Sequence, residues 1–510
     1  MGHSFTDLSP ELFRQIFGYF CLHCCGKRRD YLIEDPVDLA ENYCKDRKVL
    51  VALCLVSRRF RDFSQDILHH VFLIAPSKPG LVRQPSVETS LASFIRTITS
   101  KPHLVTATKA VIFFHTLEAP NVGLEDAQKA FKHVAEATGV QPSEIWDRRK
   151  NLAPYRDDFL RELILGKAHS RCTSEVIEWH MNTLATELLF ILIVLLPDLP
   201  HLALDVSIHQ TFDQIEALKA LGVSRLSLKA MEINGAFYTV WLSSQILIRS
   251  PDLETLCFYH ATSLPDIPSL KSLHLRRFRM SVDQLKSMIS SCTGQLRTFT
   301  YEASEIVAFH VDENSPFMIQ ACDAVKVLER YNASLESLHL DLRIRIHMSR
   351  DTKIGPMPSL EGFTALQELF INTDAIYNTQ SLELQLPDDV SLTRFLPPNI
   401  MSLYLVEPDL PSSSERLQKG LVGLADVKRR DPSRFSKLKQ VTCDTKKIFE
   451  EHYIKNVLSE VGIGLVYKEF PRPDWSYDRI PFSVLLDEYR EEFQRCGYMP
   501  LPGELSDDDL

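Results

Sequence analysis

Glycine is scarce in this chain, eighteen among 510 residues. Neither G-x-G-x-x-G nor G-x-x-x-x-G-K occurs, so no phosphate-cradling loop is written in it. A G-x-S-x-G elbow and an H-E-x-x-H helix are missing as well. The seventeen histidines are scattered, and no pattern brings two carboxylates together as an acid and base pair. The expectation is a non-catalytic protein with no cofactor. Long apolar runs are also lacking: the longest, residues 188–196, falls far short of the ~20 residues of a membrane span. There is no basic excess, since 57 Lys and Arg stand against 67 Asp and Glu for a net charge of -10. That balance argues against general nucleic-acid binding, which draws its affinity from neutralised phosphates. No basic region followed by an apolar core and a cleavage site opens the chain. Eleven cysteines without such a signal suggest reduced thiols in the cytosol or nucleus. What remains is ordinary globular material, 45% apolar and 24% charged, which will form a core.

The chain is organised around two N-terminal stretches, residues 8–20 and 50–63, each of which reads as a short helix. In the first, Ser9 suits the N-cap, Pro10 the first helical position, and Glu11 complements the helix dipole. Leu12, Ile16 and Phe20 share a face beside Phe13 and Phe17, and Leu53, Val56 and Phe60 make a second stripe. Such small helices need a partner surface, either the rest of the chain or another protein.

These residues resemble an F-box: a leucine, a proline, an acidic residue and leucine, an isoleucine-phenylalanine pair, then a leucine-rich helix ending Val56, Ser57, Arg58, Arg59, Phe60. The sequence from His69 to Leu73 is similar to the close of F-boxes in fungal proteins. The resemblance implies a three-helix module that docks on the Skp linker protein of cullin-RING ubiquitin ligases. Carried over residue by residue, Leu8, Pro10, Glu11, Leu12, Ile16, Phe17, Leu53, Val56, Ser57 and Phe60 would make or support that contact. A long insertion, residues 21–49, stands where the family usually has a short turn.

The insertion carries Cys21, His23, Cys24, Cys25 and Cys44. The Cys21-x-x-Cys24 spacing is that of one zinc knuckle, but Cys44 has no second cysteine at matching distance. Packed or exposed thiols are therefore expected, and no metal. The adjacent pair His69 and His70 reads as surface or core, because neighbouring helical positions do not face one site. The basic runs 27–29 and 428–430 read as solvated faces. Gly2 followed by Thr6 matches a myristoylation pattern too short to outweigh an ordinary lead-in to the first helix.

Proline and glycine crowd residues 75–90 and mark a linker. Beyond it an apolar pattern recurs, seen first as Leu199-x-x-Leu202-x-Leu204. Further copies start at Val223, Leu253, Leu270, Leu296, Leu335, Leu366, Ile400 and Leu438, with a degenerate one at 107–113. Each is a short strand with one buried face. The intervals run from 17 (253 to 270) to 39 (296 to 335). Together the copies resemble irregular leucine-rich repeats. Residues 121–181 give no clear pattern, 482–493 suit a capping helix, and the acidic end, 504–510, suits disorder.

The expected class is α/β: an all-α F-box module (5–74), a linker (75–90), a curved, irregular leucine-rich-repeat solenoid (91–470), then a cap and acidic tail (471–510). Parallel strands on a concave side would present Ser227, Cys257, His274, Thr300, His339, Phe370, Tyr404 and Thr442 as a row, with Tyr259 and Arg276 alongside. Tyr259, His274, Arg276, His339, Phe370 and Tyr404 are the candidate target-binding residues, the aromatic ones being common hot-spot types. The resemblance implies the substrate-recognition subunit of an SCF-type ligase, in the cytosol or nucleus. Its partners would be the Skp linker protein and, through it, the cullin-RING ligase, together with a protein target of unknown identity. The competing expectation is a repeat scaffold whose N-terminal helices cap the solenoid, without ubiquitin transfer. Neither involves nucleic acid or a membrane.

Overall fold

A computed structural model describes residues 8–25, 32, 36–75, 87–114, 129, 132, 188–206, 223–235, 246–259, 264–278, 280–303, 319–343, 357–377, 387–407, 414–446, 448 and 452–470. The expectations for Gly2, the basic run 27–29, most of the linker, the capping helix and the acidic end lie outside them. So does nearly all of 121–181.

The chain folds as mixed α/β. Among the described residues, twelve parallel strands form one sheet whose spatial order is the sequence order: β1 (Val71–Ile74), β2 (Ala110–Phe114), β3 (His201–Val206), β4 (Ala230–Gly235), β5 (Thr255–Tyr259), β6 (Ser272–Phe278), β7 (Thr298–Ala303), β8 (Ser337–Asp341), β9 (Glu368–Asn372), β10 (Ser402–Val406), β11 (Gln440–Cys443) and β12 (Gly464–Tyr467). Residues Met1–Tyr467 form one compact unit. The register is set before each strand begins. At β2 and at β4 through β10, two successive N–H groups donate to a single carbonyl ahead of the previous strand, at 2.7–3.1 Å. Each strand is thereby threaded onto its predecessor, and backbone polar groups at the turn are satisfied.

The two faces differ. The apolar pairs Leu256 and Phe258, Leu273 and Leu275, Phe299 and Tyr301, Leu338 and Leu340, Leu369 and Ile371, and Leu403 and Leu405 enter one continuous core with the helices that follow the strands. Helix Asp388–Phe395 packs on helix Ser414–Arg430 so closely that a Cβ on Gly423 would stand 2.0 Å from the Asp389 carbonyl oxygen. That contact explains a glycine inside a helix, where it otherwise costs about 1 kcal/mol. On the opposite face an unbroken rank of paired residues crosses the whole sheet: Leu73, Ile112, Ala203, Glu232, Cys257, His274, Thr300, His339, Phe370, Tyr404, Thr442 and Val466.

Among the described residues, three α-helices precede the sheet: α1 (Pro10–Gly18), α2 (Pro36–Val56) and α3 (Arg58–Leu68). Ser9 caps α1, its hydroxyl accepting from the Leu12 N–H at 3.4 Å, and Pro10 opens the helix. The second stretch is two helices and not one. Ser57 breaks it, adopting extended backbone and accepting the Phe60 N–H at 3.1 Å as the N-cap of α3. Much of the insertion is the N-terminal part of α2. From there Tyr43 donates to the Val71 carbonyl at 2.7 Å and covers the edge strand β1.

Strand β1 lies within the stretch read as the close of the helical module, so helices and sheet share it. Likewise the repeat starting at Val223 is displaced by five residues. Leu226 and Leu228 are buried, but the strand is β4, with Met231 and Ile233 facing the core. Ser227 therefore stands outside the rank, and Glu232 holds its place.

Near the end of β3, Asp205 pairs in register with Asn234. Burial pushes its carboxyl from 3.8 up to about 7, partly offset by a hydrogen bond with Asn234. From pH about 4 to about 7 the unfolded chain ionises this group while the fold keeps it protonated. Its contribution to stability therefore falls as pH rises through that window. Asp205→Asn is expected to raise stability at pH 8 by on the order of 1–3 kcal/mol and to leave it unchanged at pH 3. Urea unfolding at the two pH values checks this, and equal effects at both would refute the assignment.

Candidate functional site

The helical module has its own core. Phe13 packs within 5.3–5.7 Å of the rings of Phe17, Phe60 and Phe63, and Phe17 meets Phe60 edge-on at 5.5 Å. Phe13 is 0% and Phe17 1% exposed. Arg59 donates to the Leu8 carbonyl at 2.8 Å and lies 4.9 Å over the Phe13 ring, while Arg61 donates to the Cys54 carbonyl at 3.2 Å. The start of α1, the end of α2 and the start of α3 thus meet at one corner.

Of the ten F-box-type positions, Phe17 and Phe60 are buried in this core, and Leu8, Ile16 and Leu53 are half-buried. Pro10, Glu11, Leu12, Val56 and Ser57 are exposed. Glu11's carboxyl is held below the usual range by backbone N–H at the helix start and by Ser9. Sequence reasoning missed two further exposed apolar residues, Val51 and Leu55, one helical turn apart on α2, with Leu55 77% exposed. Their signal was present as apolar residues in excess of one buried stripe.

The sheet's second face is only partly as expected. At its N-terminal end the module's core continues into the sheet, through Val71, Ala110, Ile112, Phe114, Ala203, Cys257 and Tyr259. Glu232, 2% exposed, accepts the Leu32 N–H at 3.0 Å and is bonded to His201 at 2.7 Å. The insertion therefore covers this part of the sheet. Tyr259, expected to be exposed, is 4% exposed and belongs to the core shared with the helices.

Farther along, the ranked side chains engage one another. His274 is hydrogen-bonded to Thr300 at 2.9 Å, and Arg276 is paired with Glu302. His339 stacks on Phe370, 3.8 Å between centroids and 4° from parallel, and Phe370 lies 6.5 Å from Tyr404. Arg343, bidentate to Asp341 at 2.7–3.2 Å, lies over the same Phe370 ring, 5.9 Å from its centroid. Phe370 is consequently 6% exposed and not the open anchor expected, while His274, Arg276, His339 and Tyr404 are half-buried. Burial drives the His339 imidazole down to about 3, so it is neutral at physiological pH. A neutral, stacked imidazole beside aromatic rings offers shape and hydrogen bonding in place of charge.

A third grouping joins Cys21, His23, Cys24 and His70, whose ligand atoms all lie within 4.8 Å of one another. Sequence reasoning sought a second cysteine pair and set His70 aside. Cys44 takes no part.

No family model matches this chain, and no curated protein matches it. A crystal structure of a Bacteroides fragilis protein from a structural-genomics programme is 11% identical, with a TM-score of 0.27, covering 54% of this chain and 68% of that one. Among the described residues no helix is long and apolar enough to cross a membrane.

Proposed function

We propose that this chain is the substrate-recognition subunit of an SCF-type cullin-RING ubiquitin ligase, a non-catalytic adaptor of the cytosol or nucleus. The α1–α3 corner would hold the Skp linker protein. The sheet, taken as an irregular leucine-rich-repeat solenoid, would hold a protein target along the half-buried stretch His274, Arg276, His339 and Tyr404. The adaptor works by proximity, raising the effective concentration of target near the ubiquitin-loaded enzyme. The observation that carries the reading is that Leu12, Val51, Leu55 and Val56 stay exposed although the phenylalanine core beneath them is complete. A module that served only to cover the sheet has no use for that surface.

One observation favours the scaffold reading instead. The helices share a core with β1, β2, β3 and β5, and the insertion is bonded to Glu232, as a cap would be. The two readings separate on co-purification of the full chain with the Skp linker protein, wild type beside Leu12→Asp, Val56→Asp. Both positions are exposed, so the variant is expected to fold and to lose at least tenfold in affinity, more than about 1.4 kcal/mol. No complex with the wild type would leave the helices as a cap and give the scaffold reading the lead.

A further inference from the structure

The turn that ends α1 is built to bring two thiols and an imidazole to the junction of α3 and β1. Cys21 N–H donates to the Gly18 carbonyl and Cys25 N–H to the Cys21 carbonyl, both at 3.0 Å. The turn folds so tightly on Gly18 that a Cβ there would stand 3.1 Å from Cys24 Cβ. Opposite it, His70 sits where the chain leaves α3, and its carbonyl accepts the two N–H groups that register β2.

Cys24 Sγ is 3.1 Å from His70 Nδ1 and 3.6 Å from His23 Nδ1, and Cys21 Sγ is 3.9 Å from His70 Nδ1. Tetrahedral zinc with its usual bond lengths places donor pairs roughly 3.3–3.8 Å apart. The cluster nearly has that spacing already. Cys25 is excluded from it: its thiol donates to the Tyr19 carbonyl at 3.1 Å.

We propose that Cys21, His23, Cys24 and His70 form a closed structural zinc site. Two thiolates and two imidazoles at tetrahedral spacing suit Zn2+ over harder cations, and four protein ligands leave no position for a reacting water. Binding would form two Zn–S and two Zn–N bonds and release the thiol protons to solvent. The metal would fasten the end of α1 to the first residue before the sheet, setting how the helices stand on β1. The site is independent of the ligase reading.

The test uses the full-length chain, purified without chelator. Elemental analysis is expected to find one zinc per chain, kept through dialysis, in the wild type and in Cys25→Ser, and lost in Cys24→Ser and His70→Ala. Should those variants fail to fold, chelator-stripped wild type titrated with Co2+ decides alone. Intense visible bands with thiolate-to-cobalt charge transfer would support the site. A folded wild type without zinc, a weak octahedral cobalt spectrum, or equal loss of metal in Cys25→Ser would overturn it.

Discussion

Phe13→Ala is expected to cost about 3–5 kcal/mol of unfolding free energy, while Leu12→Ala, one residue away, changes it by no more than about 0.5 kcal/mol. Phe13 is 0% exposed at the centre of three other phenylalanines, so truncation leaves a cavity between α1 and α3. It also removes the ring beneath Arg59, whose donation to the Leu8 carbonyl holds the start of α1. Leu12 is 44% exposed and has little packing to lose. Urea unfolding followed by circular dichroism measures both. Equal losses would mean that Leu12 is packed as tightly as Phe13 and would withdraw the docking corner. The contrast divides the residues of the resemblance into those that build the module and those left over for a partner.

The sequence shows the strand faces well where the pattern is short-range. In Leu338 and Leu340, period-2 alternation alone identifies which side enters the core with the helices, and the same holds from β5 to β11; the other side is less open than expected, since Cys257, Thr300, Phe370 and Thr442 are buried on it. Seven of the eight residues expected in a row do form one rank across paired strands. The pattern misleads at 223–228 because Leu226 and Leu228 are apolar for a different reason: they pack in the core ahead of the strand and not within it. Strand β1 escaped notice because its residues sat inside a recognised helical motif. The burial of Tyr259 could not be read at all, since it joins a core built with the N-terminal helices, far earlier in the sequence. His70 was missed likewise. Its partners lie 46 and 49 positions earlier, and ligand spacing rules see only neighbours.

Asp341→Ala is expected to destabilise the chain by about 3 kcal/mol. Arg343 is 5% and Asp341 6% exposed, and their bidentate pairing satisfies a guanidinium taken almost wholly out of water. Removing the carboxylate leaves that desolvation in place without the matching fork of acceptors. The cost is at the lower end of the range for such pairs because Asp444 remains 3.8 Å from Arg343. Asp341→Leu combined with Arg343→Met should cost less than the single change, since it removes the buried charge together with its partner. Urea midpoints of the three proteins test this, and a double variant as unstable as the single one would show that packing, not charge, dominates. The pair also bears on the stretch proposed to bind a target. Arg343 lies against Phe370, which stacks on His339 and neighbours Tyr404, so the buried ions hold the aromatic rank in one arrangement before any partner arrives. A surface ordered in advance spends less of its contact energy on ordering during association, and Asp341→Ala should therefore weaken target binding even though Asp341 itself is buried.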